Sequence, residues 1–118
     1  MKKFLLSFVY AFNGIKVFLK EDRNAILHVI AAVAIIILGI GLYFSETEWL
    51  VVILSIGAVI AAEMFNSAIE RIVDMISPEH NEKAGKIKDM AAGAVLVIST
   101  AAMIIGIMLI VNHTDFFS

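Results

Sequence analysis

The sequence predicts an all-α integral membrane protein: an N-terminal amphipathic surface helix ahead of three transmembrane helices. Three observations carry this expectation. Of 118 residues, 61% are hydrophobic and only 17% charged, with a mean hydropathy of +0.96, whereas soluble domains average about 45–50% apolar. Two runs, Ile26–Phe44 and Met90–Val111, contain no Asp, Glu, Lys or Arg. All nine Lys and Arg residues fall either before the first run or between residues 71 and 88.

The first segment, "FLLSFVYAFNGIKVFLK", repeats Phe4, Leu5, Phe8, Val9, Phe12, Ile15 and Phe18 at helical spacing. Lys2, Lys3, Ser7, Asn13, Lys16 and Lys20 fall largely elsewhere around the barrel, as in a helix lying in the membrane interface. A signal peptide is the competing reading, but no small-residue cleavage site follows and basic residues resume at once. Span one, Ile26–Phe44, has 19 residues, about 28 Å of helix against a hydrocarbon core of about 30 Å. Span two opens on Trp49, an aromatic suited to the interface, and must continue past Ala62 to about residue 75 to cross. Span three is Met90–Val111, where Ala91, Ala92, Gly93 and Ala94 would permit close helix approach.

Between spans two and three, "SPEHNEKAGKIKD" holds the only proline, Pro78, so the second helix is predicted to stop near Ser77 and give way to a loop reaching Lys88. The positive-inside rule puts the N-terminus and this loop in the cytoplasm, and the C-terminal tail "NHTDFFS" outside. Residues 1–118 read as one membrane-embedded domain, without repeat or low-complexity tract. Cysteine is absent, which excludes disulfides, thiolate nucleophiles and cysteine metal sites.

Span two carries an unexpected polar ladder, "AAEMFNSAIERIVD". At 100° per residue Asn66, Glu70 and Asp74 lie within about 60° of Glu63, so four polar groups share one face. Measured from Trp49, Glu63 lies about 21 Å and Glu70 about 31 Å along the helix, one inside the inner leaflet and one near its surface. An intramembrane carboxyl costs roughly 2.5–3.5 kcal/mol and normally faces protein or water. Glu63 is therefore a candidate proton acceptor, or else a glue residue between helices. Lys88 and Asp89 sit at the start of span three, where Lys88 could meet an anion or merely snorkel. Glu21 and Asp22 supply carboxylates at the level of Glu70, and a pair of them would suit Mg²⁺ with a phosphate-bearing ligand. His28 is expected to hydrogen-bond between helices, while His28, His80 and His113 are too scattered for a metal cluster. No GxxxxGK[ST] loop or protein-kinase catalytic motif occurs.

"EMFNSAIERIVD" followed by "KIKDMAAGAVL", with "YAFNGI" and "RNAILH" upstream, resembles the prokaryotic diacylglycerol kinase family, which includes undecaprenol kinases. The resemblance implies a small trimeric bacterial membrane enzyme whose active sites, shared between protomers, phosphorylate a lipid alcohol with Mg-ATP at the cytoplasmic face. It implies no nucleic-acid partner. Glu63 would be the catalytic proton acceptor and Asn66 would position it. Glu70 and Asp22 would bind Mg²⁺ and nucleotide. Asp22 stands where the family usually has Glu, so Glu21 is a possible substitute. The resemblance also places Lys3, Tyr10, Glu79, His80, Asn81, Lys88 and Asp89 near the nucleotide. Lys3 stands where some members have Arg, keeping the charge without the bidentate fork. Diacylglycerol is the first substrate reading and undecaprenol the second. A proton-coupled transport subunit and a non-catalytic assembly protein are the readings from other classes.

Overall fold

The computed structural model describes residues 1–114, which form four helices: α1 (Lys2–Glu21), α2 (Ala25–Gly41), α3 (Glu46–Ile76) and α4 (Glu82–His113). Residues 115–118 of the tail, predicted to face outward, lie outside the described residues. Among the described residues there is no strand. α3 is the central element, packed against both α4 and α2, while α1 touches α2. The result is a flat assembly of 55 × 43 × 20 Å. Among the described residues the buried apolar ones are only Phe18, Ala25, Phe44, Val52 and Val73, and α4 buries none fully. In a bilayer this is the expected balance, because lipid rather than a protein core can cover the outward Leu, Ile and Val side chains.

The helices α3 and α4 are each long and apolar enough to cross a membrane. Their 31 and 32 residues correspond to about 46–48 Å, so several turns extend beyond a hydrocarbon core of about 30 Å. α2 is shorter than the predicted run, with 17 residues. It joins α1 at a bend of 102°. α1 can thus lie along the membrane surface while α2 turns across it. The corner is made by Asp22, which leaves helical geometry (φ −92°, ψ 125°) and accepts the Asn24 N–H on Oδ1 at 2.8 Å. Phe18 and Ala25 are buried there.

α2 ends early for a local reason. Tyr43 adopts φ +59°, and the N–H groups of Tyr43 and Phe44 return to the carbonyls of Ile40 and Gly39. This is a Schellman closure with tyrosine in the left-handed position that glycine usually fills. The next helix starts at once. Ser45 Oγ accepts the Glu48 N–H at 3.2 Å, and Glu48 Oε1 accepts the Ser45 N–H at 2.8 Å, a reciprocal cap. The S-x-x-E pattern was present in "SETE" and is a legible start signal.

At the other end of α3 the chain stops at Ser77, just before Pro78. The predicted long loop to Lys88 is instead a short connection, because Asn81 Oδ1 accepts the N–H groups of Lys83 and Ala84 and initiates α4 at Glu82. Lys83, Lys86 and Lys88 consequently project from a helix. Gly85 within it meets nothing that a Cβ would strike.

Gly39 has a packing requirement. A Cβ there would stand 2.7 Å from ring atoms of both Phe44 and Trp49, whose rings pack with centroids 5.6 Å apart. Gly39→Ala gains about 1 kcal/mol of helix propensity but forces the two rings apart, at a typical overpacking cost of about 1–3 kcal/mol. We expect a lower thermal midpoint, followed through the emission of Trp49, the single tryptophan.

Candidate active site

Glu63 is the one buried charged residue among those described, at 4% exposure. Its place follows from helix geometry: α3 must turn its polar ladder away from lipid, and the α1–α2 corner lies opposite that face. His28 of α2 approaches closest, with Nε2 3.4 Å from Glu63 Oε2. The expectation of an interhelical contact at His28 thus has a named partner.

Toward the α1–α2 corner the ladder opens into a polar cavity of ≈ 320 Å³. Glu63, Asn66, Ser67, Glu70, Arg71 and Asp74 line it from α3, and Glu21, Asp22, Arg23 and Asn24 from the corner. Asp22 is fixed at both oxygens: Oδ1 accepts the Asn24 N–H, and Oδ2 accepts the hydroxyl of Ser67. Ser67 was missed as a functional candidate. It follows Glu63 by four residues and so shares its face, which is the signal that could have found it. Asn66 Oδ1 is buried without a hydrogen-bond partner among the described residues. A buried acceptor left unpaired is costly, so this oxygen is suited to receiving a donor from a ligand.

The cavity combines five carboxylates with two arginines. Glu70 is exposed, whereas Asp22 is half-buried. Both line the cavity, as does Glu21, and Mg²⁺ typically takes only one or two protein carboxylates beside substrate phosphates and water. No three His, Asp or Glu side chains converge among the described residues. The donor set therefore fits a metal that arrives with its own phosphate ligands better than a metal caged by protein alone.

Lys88 binds Asp74 through Nζ to Oδ1 at 2.5 Å, joining the start of α4 to the end of α3. Its positive charge is also supported by Glu70. Asp89, the next residue, is exposed. The remaining sequence candidates are not brought into the cavity of this single chain. Lys3 and Tyr10 are exposed along α1, and Glu79 and His80 are exposed in the α3–α4 connection. Asn81 spends its side-chain oxygen on capping α4.

On the apolar side of His28 runs a groove of ≈ 360 Å³ between α2, α3 and α4. Its small residues Ala31, Ala32, Ser55 and Ser99 leave the space open. His28 lines this groove and Glu63 lines the polar cavity, so their contact marks the junction of an apolar channel with a charged one. Such an arrangement can bring an amphiphile's polar end to a buried carboxylate while charged groups wait on the other side.

Comparison with known proteins gives the same architecture a lineage. Residues 9–110 match the family model described as prokaryotic diacylglycerol kinase. An undecaprenol kinase of Bacillus subtilis is 38% identical over 109 residues, covering 92% of this chain and 89% of that protein. A diacylglycerol kinase of Synechocystis is 35% identical, covering 86% of this chain and 59% of its own length. The Escherichia coli diacylglycerol kinase is 41% identical over 59 residues, half of this chain and 48% of that protein. With nearly the whole chain inside the family match, and the ladder and corner carboxylates gathered in one cavity, this membrane protein belongs to the prokaryotic diacylglycerol kinase family.

Proposed function

We propose that the chain phosphorylates a lipid alcohol with Mg-ATP at the cytoplasmic face of the bacterial inner membrane, and that its preferred alcohol is undecaprenol. The observation that supports the chemistry best is Glu63, buried at the meeting point of an apolar groove and a carboxylate- and arginine-lined cavity. Undecaprenol is favoured over diacylglycerol because the match to the undecaprenol kinase runs through nine-tenths of both chains. Diacylglycerol remains the second reading, supported by the family description and the Escherichia coli match.

In this reading the lipid chain lies along the groove and its hydroxyl reaches Glu63, which takes the proton as the oxygen attacks the γ-phosphorus. Asn66, which lines the same cavity as Glu63, helps to position the reacting groups through its amide. Asp22 and Glu70 would hold Mg²⁺, which would supply charge neutralisation for the triphosphate. Arg23 and Arg71 line the same cavity as the carboxylates, and Lys88 pairs with Asp74 at its edge, so these cations are available to share the phosphate charge. Phosphoryl transfer asks chiefly for alignment and charge neutralisation, and the rise of about 10 Å from Glu63 to Glu70 leaves length for a triphosphate to run from the carboxylates near Glu70 down to the hydroxyl at Glu63.

Lys3, Tyr10, Glu79, His80 and Asn81 are assigned to the nucleotide site of a neighbouring copy in a homotrimer. The uncovered face of α4 and the placement of these residues outside the single-chain cavity support that assembly. The basic residues of α1 and those on the first turns of α4, Lys83, Lys86 and Lys88, support a cytoplasmic position for both by the positive-inside rule, with the C-terminus outside.

Protein reconstituted with γ-labelled ATP should phosphorylate undecaprenol faster than diacylglycerol; the reverse order makes diacylglycerol the substrate, and transfer to neither removes the kinase reading. Glu63→Gln should lower kcat by about 10²–10⁴-fold, the usual range for a general base, with its thermal midpoint retained. Ser67→Ala, by releasing Asp22, should raise the Mg²⁺ concentration for half-maximal rate about tenfold. Its rate at saturating Mg²⁺ should be nearly unchanged.

A further inference from the structure

Glu63 makes one close polar approach that neither its own helix nor the phosphate side provides. His28 Nε2 stands 3.4 Å from Oε2, with the two side chains 22% and 5% exposed. A buried carboxylate without a partner would be free to rotate toward any donor, including water drawn from the polar cavity. His28 also forms part of the wall of the apolar groove, so the approach lies on the groove side of Glu63.

We propose that His28 is a positioning residue for Glu63. Resting on the lipid-kinase reading above, it binds Oε2, leaves Oε1 for the substrate hydroxyl, and so aims the proton acceptor at the end of the groove. In the transfer, the hydroxyl oxygen bonds to the γ-phosphorus and the bond from that phosphorus to the β–γ bridging oxygen breaks. ADP leaves and the hydroxyl proton passes to Glu63. His28 undergoes no net change. Its contribution is geometric, and a misplacement of about 1 Å at a reacting group can cost about 10²-fold in rate.

The test compares His28→Leu, which fills similar space without a donor, with His28→Gln, whose amide nitrogen reaches about as far as Nε2. Full-length protein is assayed in lipid with Mg-ATP and whichever of undecaprenol and diacylglycerol the unaltered protein phosphorylates. His28→Leu should lower kcat 10–100-fold, by about the factor cited for misplacement, with KM for Mg-ATP unchanged within about twofold. His28→Gln should recover most of the rate. Retention of kcat in His28→Leu overturns the proposal while leaving the kinase reading intact. So does a joint loss of kcat and nucleotide affinity that His28→Gln does not repair, since that marks a structural role only. An unaltered protein that phosphorylates neither lipid sinks the functional reading and this inference with it. Should His28→Leu fail to assemble, the comparison of His28→Gln with His28→Asn decides: the shorter amide falls short of Oε2, so Asn should be impaired and Gln active, and equal rates overturn the proposal.

Discussion

A carboxylate at 4% exposure in a membrane-crossing helix can persist only if polar groups are brought to it. This requirement on Glu63 organises the site end of the molecule. It orients α3 so that Asn66, Ser67, Glu70 and Asp74 face the α1–α2 corner and not the lipid. It brings α2 close enough for His28 to reach Oε2. It also makes the corner itself informative, because the same Asp22 that ends α1 turns its carboxylate to Ser67 on α3. A helix terminus and a cavity wall are the same residue. Few other contacts hold this end together, since the buried apolar set is small.

The opposite end is fastened differently. Gly39 lets the Phe44 and Trp49 rings lie against α2, and the His113 ring of α4 packs against Phe44, tilted by 40° with centroids 5.2 Å apart. His113 Nε2 is 2.8 Å from both carboxylate oxygens of Glu48. Glu48 serves there twice, as a helix cap and as a partner for α4. The cap hydrogen bond with Ser45, followed by the bond with His113, holds its carboxyl below the usual glutamate range. With both ends of α3 tied, the groove along its middle can remain unfilled without loss of register. The groove is thus a consequence of pinning two helices to a third at their ends while placing alanine and serine between them.

Much of this was legible before any coordinates. The apolar runs announced helices that cross a membrane, and the spacing of Glu63, Asn66, Glu70 and Asp74 announced their shared face, because both depend on period alone. Four features were not. The contact of Asp22 with Ser67 joins residues 45 positions apart, and no local rule selects that pair. The partner of His28 depends on how two helices pack, although the helix contact itself was foreseeable. The early end of α2 rests on a tyrosine at φ +59°, against the usual preference for glycine. The start of α4 at Glu82 was hidden by Pro78 and Gly85, which made a capped helix look like a loop. The residues on α1 and in the α3–α4 connection that the family resemblance puts near a nucleotide lie outside the cavity, so motif alone singles them out.

The most direct measurement is a structure with Mg²⁺, a non-hydrolysable ATP analogue and the lipid alcohol bound together. The distance to read is from the hydroxyl oxygen to the Glu63 carboxylate. A value of about 2.6–3.2 Å, with the same hydroxyl in line with the γ-phosphorus, is the expected result. A hydroxyl bound beside Glu70, with Glu63 packed against His28 and out of reach, would contradict it.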